Sequence, residues 1–250
     1  MEEKNRLINE ACKIFKQEAH SNFKKFKFLA EWVNSEAKYF NDDRINFNRN
    51  HKVYQRGALV MVDFGVNVGN ELSGNHFAVV LNKNDSPKNG VLTVAPITSK
   101  GNKFTVQIDG LISDKSHKIL ESEFHESAVN HYFMQKRIVK DGLTDEEKAF
   151  IEEEYNTEGR LIAQYSKYIT PEEYIIFYEK NIFKLKCLLE LLEHYMKYNK
   201  ISHAKILDIK TISKKRIKFL NEYDPCGRIK VSNETLDKID DGIKKNFLNS

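Results

Sequence analysis

The side chains best suited to chemistry in this sequence fall within one stretch, from Glu71 to Lys103. His76 stands in the glycine-flanked segment Ser73-Gly74-Asn75-His76-Phe77. Histidine takes up or releases a proton near neutral pH, so it suits acid–base work. Glu71, in Gly69-Asn70-Glu71, offers a carboxylate that can accept a proton or orient the imidazole. Thr98, in Ala95-Pro96-Ile97-Thr98-Ser99, offers a hydroxyl at the end of an apolar run, and Lys100 and Lys103 follow with positive charge. Each residue also has a plainer reading. A lone histidine is more often structural, a strand-end threonine commonly caps its own backbone, and a loop glutamate is commonly only solvated.

Other chemistries find less support. His125-Glu126-Ser127-Ala128-Val129-Asn130-His131 superficially resembles a zinc-protease motif. That motif needs histidines four apart on one helical face, whereas these are separated by six positions and point in different directions. No metal site is expected there, and no cofactor is expected elsewhere. The glycines are too scattered for a phosphate-cradling loop, and no dinucleotide fingerprint occurs. Cys12, Cys187 and Cys226 lie far apart, which argues against a disulfide framework or a zinc knuckle.

Three textures of sequence must position these groups. Residues 2–40 read as two helices, with Leu7, Ala11, Ile14, Phe15 and Ala19, then Phe23, Phe26, Ala30, Val33, Ala37 and Phe40, at spacings of three or four. Ser21-Asn22 is the expected break and N-cap between them, and the apolar stripe is expected to pack on something. From Gly57 the texture becomes strand: Ala58–Phe64, Phe77–Leu81, Val91–Ala95 and Phe104–Ile108, separated by glycine- and asparagine-rich turns. Short strands at this spacing predict a small barrel or sandwich.

Residues from about 116 to 199 return to helix. Thr144 and Glu147 form a capping box, and Thr170-Pro171-Glu172-Glu173 forms a second with proline at the first helical position. Behind it Tyr174, Tyr178, Ile182, Leu185, Leu189, Leu192 and Met196 mark a long amphipathic helix that packs within the chain or forms a coiled-coil seam. Strand resumes over Lys205–Ile212, a turn follows at Asp224-Pro225-Cys226-Gly227, and Ile229–Val231 adds a short strand. Ser232 then caps a last helix carrying Leu236, Ile239 and Ile243. Strands bracket a helical block, which predicts one barrel interrupted by an insertion.

The stretch YQRGALVMVDFGVNVGNELSGNHFAVVLNKNDSPKNGVLTVAPITSK, Tyr54–Lys100, resembles the MazF/PemK toxins. It has an Arg-Gly leading into the first strand, a Gly-x-Glu loop, a strand ending in Val-Val-Leu and a strand ending in Pro-x-Thr-Ser. The resemblance resumes at AKILDIKTISKKRI, Ala204–Ile217, and at Arg228–Phe247. It implies an α+β fold: an SH3-like, MazF/CcdB-type small barrel with an N-terminal helical pair, an internal helical insertion and a C-terminal helix. The expected parts are 1–48, an N-terminal helical extension; 49–110, the first part of the barrel; 111–200, the helical insertion; and 201–250, the second part with the last helix.

The resemblance also implies a metal-independent endoribonuclease acting on single-stranded RNA. The ribose 2′-hydroxyl attacks the adjacent phosphate, leaving a cyclic phosphate and a 5′-hydroxyl. It implies a homodimer and a cognate antitoxin protein. Members typically use a loop arginine before the second strand and a threonine at the end of the third. The threonine is Thr98, and the arginine's place falls on His76. Histidine can carry a proton there but lacks arginine's permanent charge and forked donors, so Lys100 or Lys103 is expected to supply the charge. Glu71 matches a loop glutamate and joins His76 and Thr98 as an expected catalytic residue. Arg56, Asn75, Ser99, Lys100 and Lys103 are the expected RNA contacts. The same fold class includes a toxin that poisons gyrase by binding alone, so a non-enzymatic binder or a regulatory protein with a degenerate site is the competing expectation.

Bulk composition fits this frame. The chain has 250 residues, 40% hydrophobic and 30% charged, as a globular protein does. The formal net charge of +4 neither demands nor opposes a nucleic-acid partner. Positive charge gathers at Lys214, Lys215, Arg216 and Lys218, and negative charge over Asp141–Glu158. That acidic block either lies near the RNA groove or is a solvated face. No signal peptide is visible after Met1 and no apolar run is long enough to span a bilayer. A reducing cytoplasm and no membrane partner are therefore expected.

Overall fold

The computed structural model describes residues 1–45, 50–138 and 171–248. It combines helices with an antiparallel sheet, the α+β class expected. The chain divides into two compact units, one made of 1–112, 200–219 and 226–250, the other of 113–199 and 220–225.

The first unit holds all seven strands found among the described residues: β1 (Leu59–Asp63), β2 (Asn75–Val80), β3 (Val91–Thr98), β4 (Thr105–Gln107), β5 (His203–Lys205), β6 (Lys210–Ser213) and β7 (Ile217–Lys218). They pair in the order β4-β5-β3-β2-β1-β7, with β6 also on β3. No pair joins the two ends among the described residues, so the sheet is open where a closed barrel was expected. Tyr54, Val60, Val62, Phe64, Ala78, Val80, Leu92, Val94, Ile212 and Ile217 form one buried cluster on one face. Leu59, Phe77, Val79, Ala95 and Ile97 are buried too. Burial on both faces explains why these strands read as continuous apolar runs.

The single strand expected over Lys205–Ile212 is two strands, β5 and β6, separated by a 3-10 turn at Ile206–Asp208. The strand expected at Ile229–Val231 is reduced to one bridge, Ala58 to Lys230, flanked by backbone bonds from Leu59 N to Ile229 O and from Val231 N to Gly57 O. The last helix, α5 (Asn233–Phe247), begins where expected: Ser232 accepts a hydrogen bond from Thr235 N. Gly242 lets α5 approach Ile206, since a Cβ there would lie 3.2 Å from that side chain.

The N-terminal helices are α1 (Glu2–Ala19) and α2 (Leu29–Ile45). Ser21 does not cap the second; its hydroxyl donates to Glu18 O and accepts from Phe23 N, and a 3-10 turn at Lys24–Phe26 intervenes. Helix α1 buries no residue, and Leu7, Ile14 and Phe15 remain exposed. In α2 the buried residues are Leu29 and Trp32, with Tyr39 half-buried. The expected stripe through Ala30, Ala37 and Phe40 is exposed. Trp32 lies on Gly65, where a Cβ would come within 2.5 Å of the indole and where φ is +78°.

The second unit is built on α3 (Ile112–Ile138) and α4 (Pro171–Tyr195). Among the positions of α4 whose burial is described, Asn181, Cys187, Leu188, Leu191 and Tyr195 are buried. Leu189 and Met196, expected on the seam, are exposed. Polar anchors set the observed face: Asn181 Nδ2 donates to Ser127 O at 2.9 Å, and Tyr195 donates to Asp224 at 2.6 Å. The capping box at Thr144, the acidic block Asp141–Glu158 and Thr170 lie outside the described residues. No described helix is long and apolar enough to cross a membrane.

Candidate functional site

A hairpin loop presents His76. Strands β1 and β2 pair with Val62 opposite His76 and Asp63 opposite Asn75. Beyond the ladder, Phe64 N donates to Gly74 O at 3.0 Å and Gly74 N to Gly65 O at 2.7 Å. Gly74 has φ +93°, a conformation that a side chain disfavours, and this fixes the approach to His76. Asn67 ties the loop from inside, donating to Phe64 O at 2.9 Å and Leu72 O at 2.6 Å. Lys25 reaches the loop from outside and donates to Gly69 O.

The His76 ring is half-buried, with Nε2 3.1 Å from Ser73 O. Burial lowers its pKa below the ordinary histidine value; the Ser73 and Ile97 carbonyls oppose that shift and the Lys205 charge adds to it. The neutral imidazole therefore predominates at neutral pH. With its hydrogen on Nε2, the ring donates to Ser73 and keeps Nδ1 as a base.

Thr98 ends β3. The β2–β3 register pairs Ala78 with Pro96 and Val80 with Val94. Two residues further along the same register, His76 falls opposite Thr98. Thr98 Oγ1 accepts from Lys100 N at 3.1 Å, the capping role open to any strand-end threonine. That bond uses the oxygen as acceptor and leaves the hydroxyl hydrogen available to a phosphate oxygen.

Around this pair the structure adds residues that the sequence did not single out. His203 on β5 is the Cα partner of Thr98, and Gln107 on β4 is the partner of His203. Lys210 lies with Nζ 5.5 Å from the centre of the Phe64 ring, and that ring is 6.4 Å from His76. Glu71 is exposed, 3.9 Å from Lys210 Nζ. Lys205 forms an ion pair with Asp208. The available signal was the alternation Ser202-His203-Ala204-Lys205-Ile206, in which Ser202, Ala204 and Ile206 are buried and His203 and Lys205 face the other way. Starting the strand at Lys205 hid it.

The other expected contacts divide. Asn75, Ser99, Lys100 and Lys103 are exposed at the same end of the sheet, Lys103 lying over the Phe104 ring at 4.9 Å. Arg56 is not with them. It precedes the opposite end of β1, where its guanidinium donates to Leu81 O and Asp240. It lines a cavity of about 490 Å³ with Leu81, Asn82, Thr93, Ile209, Ile243 and Phe247.

The basic cluster after β6 is consumed by pairing. Lys214 bonds Asp85, Lys215 bonds Asp42 and Asp43, and Lys218 lies 3.5 Å from Asp63. Arg216 lies 4.0 Å from Glu36 and 4.9 Å from the centre of the Trp32 ring. Helix α2 supplies most of these partners, so this charge is not the free surface its sequence suggests. Among the described residues no group of three or more His, Cys, Asp or Glu side chains could hold a metal ion.

Residues 55–129 match the family model described as PemK-like, MazF-like toxin of type II toxin-antitoxin system. The resemblance carried by Tyr54–Lys100 is thereby shown for this part of the chain, and the matched stretch continues past residue 110 into α3. No curated protein matches the chain.

Proposed function

We propose, from the family match over residues 55–129 and the grouping at the His76–Thr98 end of the sheet, that the protein is a MazF/PemK-like toxin that cleaves single-stranded RNA. The observation that carries this reading is the placement of a neutral imidazole beside a threonine hydroxyl on adjacent strands, with Lys205 and Lys210 close by. His76 accepts the proton of the ribose 2′-hydroxyl, and the Ile97 carbonyl favours the imidazolium that results. Thr98 donates to a phosphate oxygen while charge builds on it. Asn75, Ser99, Lys100 and Lys103 hold the strand, and Glu71 steadies Lys210. The reaction calls on no metal.

The open sheet is then the interrupted form of an SH3-like barrel. Its second part, from 201 onward, is separated from the first by the helical insertion over 111–200. A homodimer, a cognate antitoxin and a cytoplasmic setting belong to the same reading. The competing reading is a protein that binds without cutting. The Ser73 carbonyl at His76 Nε2 and the capping bond at Thr98 favour it, because both are ordinary structural roles.

Incubating the purified protein with a mixed RNA pool in EDTA, then mapping new ends, decides between them. The expected result is discrete cuts bearing 5′-hydroxyl and cyclic phosphate ends. Cleavage abolished by EDTA, or an intact pool, overturns the proposal.

A further inference from the structure

His203 stands directly opposite Thr98 in the β3–β5 ladder. Opposed residues of an antiparallel pair project to the same face with Cβ atoms about 5 Å apart. The β2–β3 register carries His76 to the other side of the same threonine. His76, Thr98 and His203 therefore form one row across three neighbouring strands. With strands spaced by about 4.8 Å, the two histidine backbones stand about 10 Å apart with Thr98 between them. That spacing leaves room for one phosphodiester between the two rings.

Two further features set His203 apart from a packing residue. Its Nδ1 is buried without a hydrogen-bond partner, whereas buried polar atoms normally have one. Its ring also rests on Gly101, where a Cβ would come within 2.6 Å of Nε2. Only glycine admits the imidazole at that turn. Thr98 and Lys100 precede this glycine, so the ring is held against the same short segment that bears the hydroxyl donor.

We propose that His203 is the second proton-transfer residue of this site, the general acid that protonates the leaving 5′-oxygen. The inference rests on the ribonuclease reading above. The 2′-oxygen loses its proton to His76 and forms a bond to phosphorus. The bond from phosphorus to the 5′-oxygen breaks, and that oxygen takes a proton from the His203 imidazolium. The products are a 2′,3′-cyclic phosphate and a 5′-hydroxyl. His76 leaves the step protonated and His203 neutral, and exchange with water resets both.

A substrate whose leaving group needs no proton tests the role. The probe is an oligonucleotide cut in the RNA pool, prepared once with the natural linkage and once with sulfur in place of the bridging 5′-oxygen. In the full-length protein, His203→Gln should lower cleavage of the natural linkage by about 10²- to 10⁴-fold. The same variant should cut the sulfur-bridged probe within a few-fold of wild type, because a thiolate leaves unaided. His203→Asn, which keeps a polar atom near the place of Nδ1, gives the same pattern if the glutamine variant melts early. An equal loss on both probes, or wild-type rates on the natural one, overturns the proposal while leaving the ribonuclease reading in place. Failure of the wild-type protein to cut either probe overturns that reading itself, and this proposal with it.

Discussion

The Lys214 ammonium lies 2.7 Å from the Asp85 carboxylate, with 3% and 0% of the two side chains exposed. The ammonium also donates to Lys52 O, and the carboxylate accepts from Tyr54 N. The pair thus fastens the end of β6 to the segment before β1 and the loop after β2.

Breaking this pair from one side leaves the other charge buried alone. Lys214→Met should cost about 3–5 kcal/mol in chemical denaturation. Burial by itself would raise the Asp85 pKa, but Lys214 and the backbone amides of Tyr54 and Ser86 hold it below the ordinary carboxylate value. The folded-state pKa is the lower one, so this stabilisation is present above the unfolded value and is lost as pH falls through the folded one. Unfolding curves at pH 7 and pH 3 should show that loss in wild type. Asp85→Asn should lack that part of the pH dependence, and equal slopes in both proteins would contradict it.

Cleavage should respond to His76 in two ways. His76→Ala and Thr98→Ala should each lower the rate by about 10²- to 10⁴-fold with unchanged thermal melting. On the proposed mechanism the neutral ring is the base; since its pKa is lowered, wild-type activity should hold down to the ordinary histidine value and fall only below it. His76→Arg should be inactive at neutral pH, since arginine does not give up its proton. Restored activity in that variant would make His76 a phosphate holder.

Trp32 and Gly65 should behave as one unit. Trp32→Ala should destabilise the protein by about 3 kcal/mol or more by opening a cavity against Gly65. Gly65→Ala combines a left-handed backbone position with a Cβ 2.5 Å from the indole. With the indole removed, only the backbone part of that penalty remains. The double variant should therefore be at least about 1 kcal/mol more stable than additivity predicts. Strict additivity in urea melts would deny the contact.

Arg56 offers a test of how far the proposed RNA surface extends. Its donors are engaged with Leu81 O and Asp240 at the far end of β1. Arg56→Ala should lower stability by about 1–3 kcal/mol. RNA affinity, followed across a salt series, should keep its slope, whereas Lys100→Ala should flatten it. A flattened slope for Arg56→Ala would return it to the RNA surface.

The strands from Ala58 to Thr98 and the helix capped by Ser232 were legible because alternation, turn residues and a capping serine are local signals. The helical faces were not. In α2 the buried Leu29 and Trp32, and in α4 the buried Asn181, Leu188, Leu191 and Tyr195, lie one residue from the most apolar stripe. Trp32, Tyr39, Asn181 and Tyr195 set those faces through a ring contact or a specific hydrogen bond, and hydrophobicity alone undercounts such residues. His76 and Thr98 were singled out through family pattern. His203 was not, because its partner is distant in sequence and only the ladder brings them together. The pairing of Lys214–Lys218 was hidden for the same reason: a run of like charges carries no sign of the acids that meet it.

The β4–β5 ladder joins Gln107 to His203 across all the sequence between them. On the ribosome those two residues are made far apart in time. His76 and Thr98 can settle into the first hairpins while the chain is still growing, but their neighbour on β5 has not yet been synthesised. Closing a loop of that length costs about 4 kcal/mol of chain entropy. The stretch between Gln107 and His203 thus delays the meeting of the two strands. On the proposed reading, the row of His76, Thr98 and His203 is complete only after translation has passed the last residue of β5.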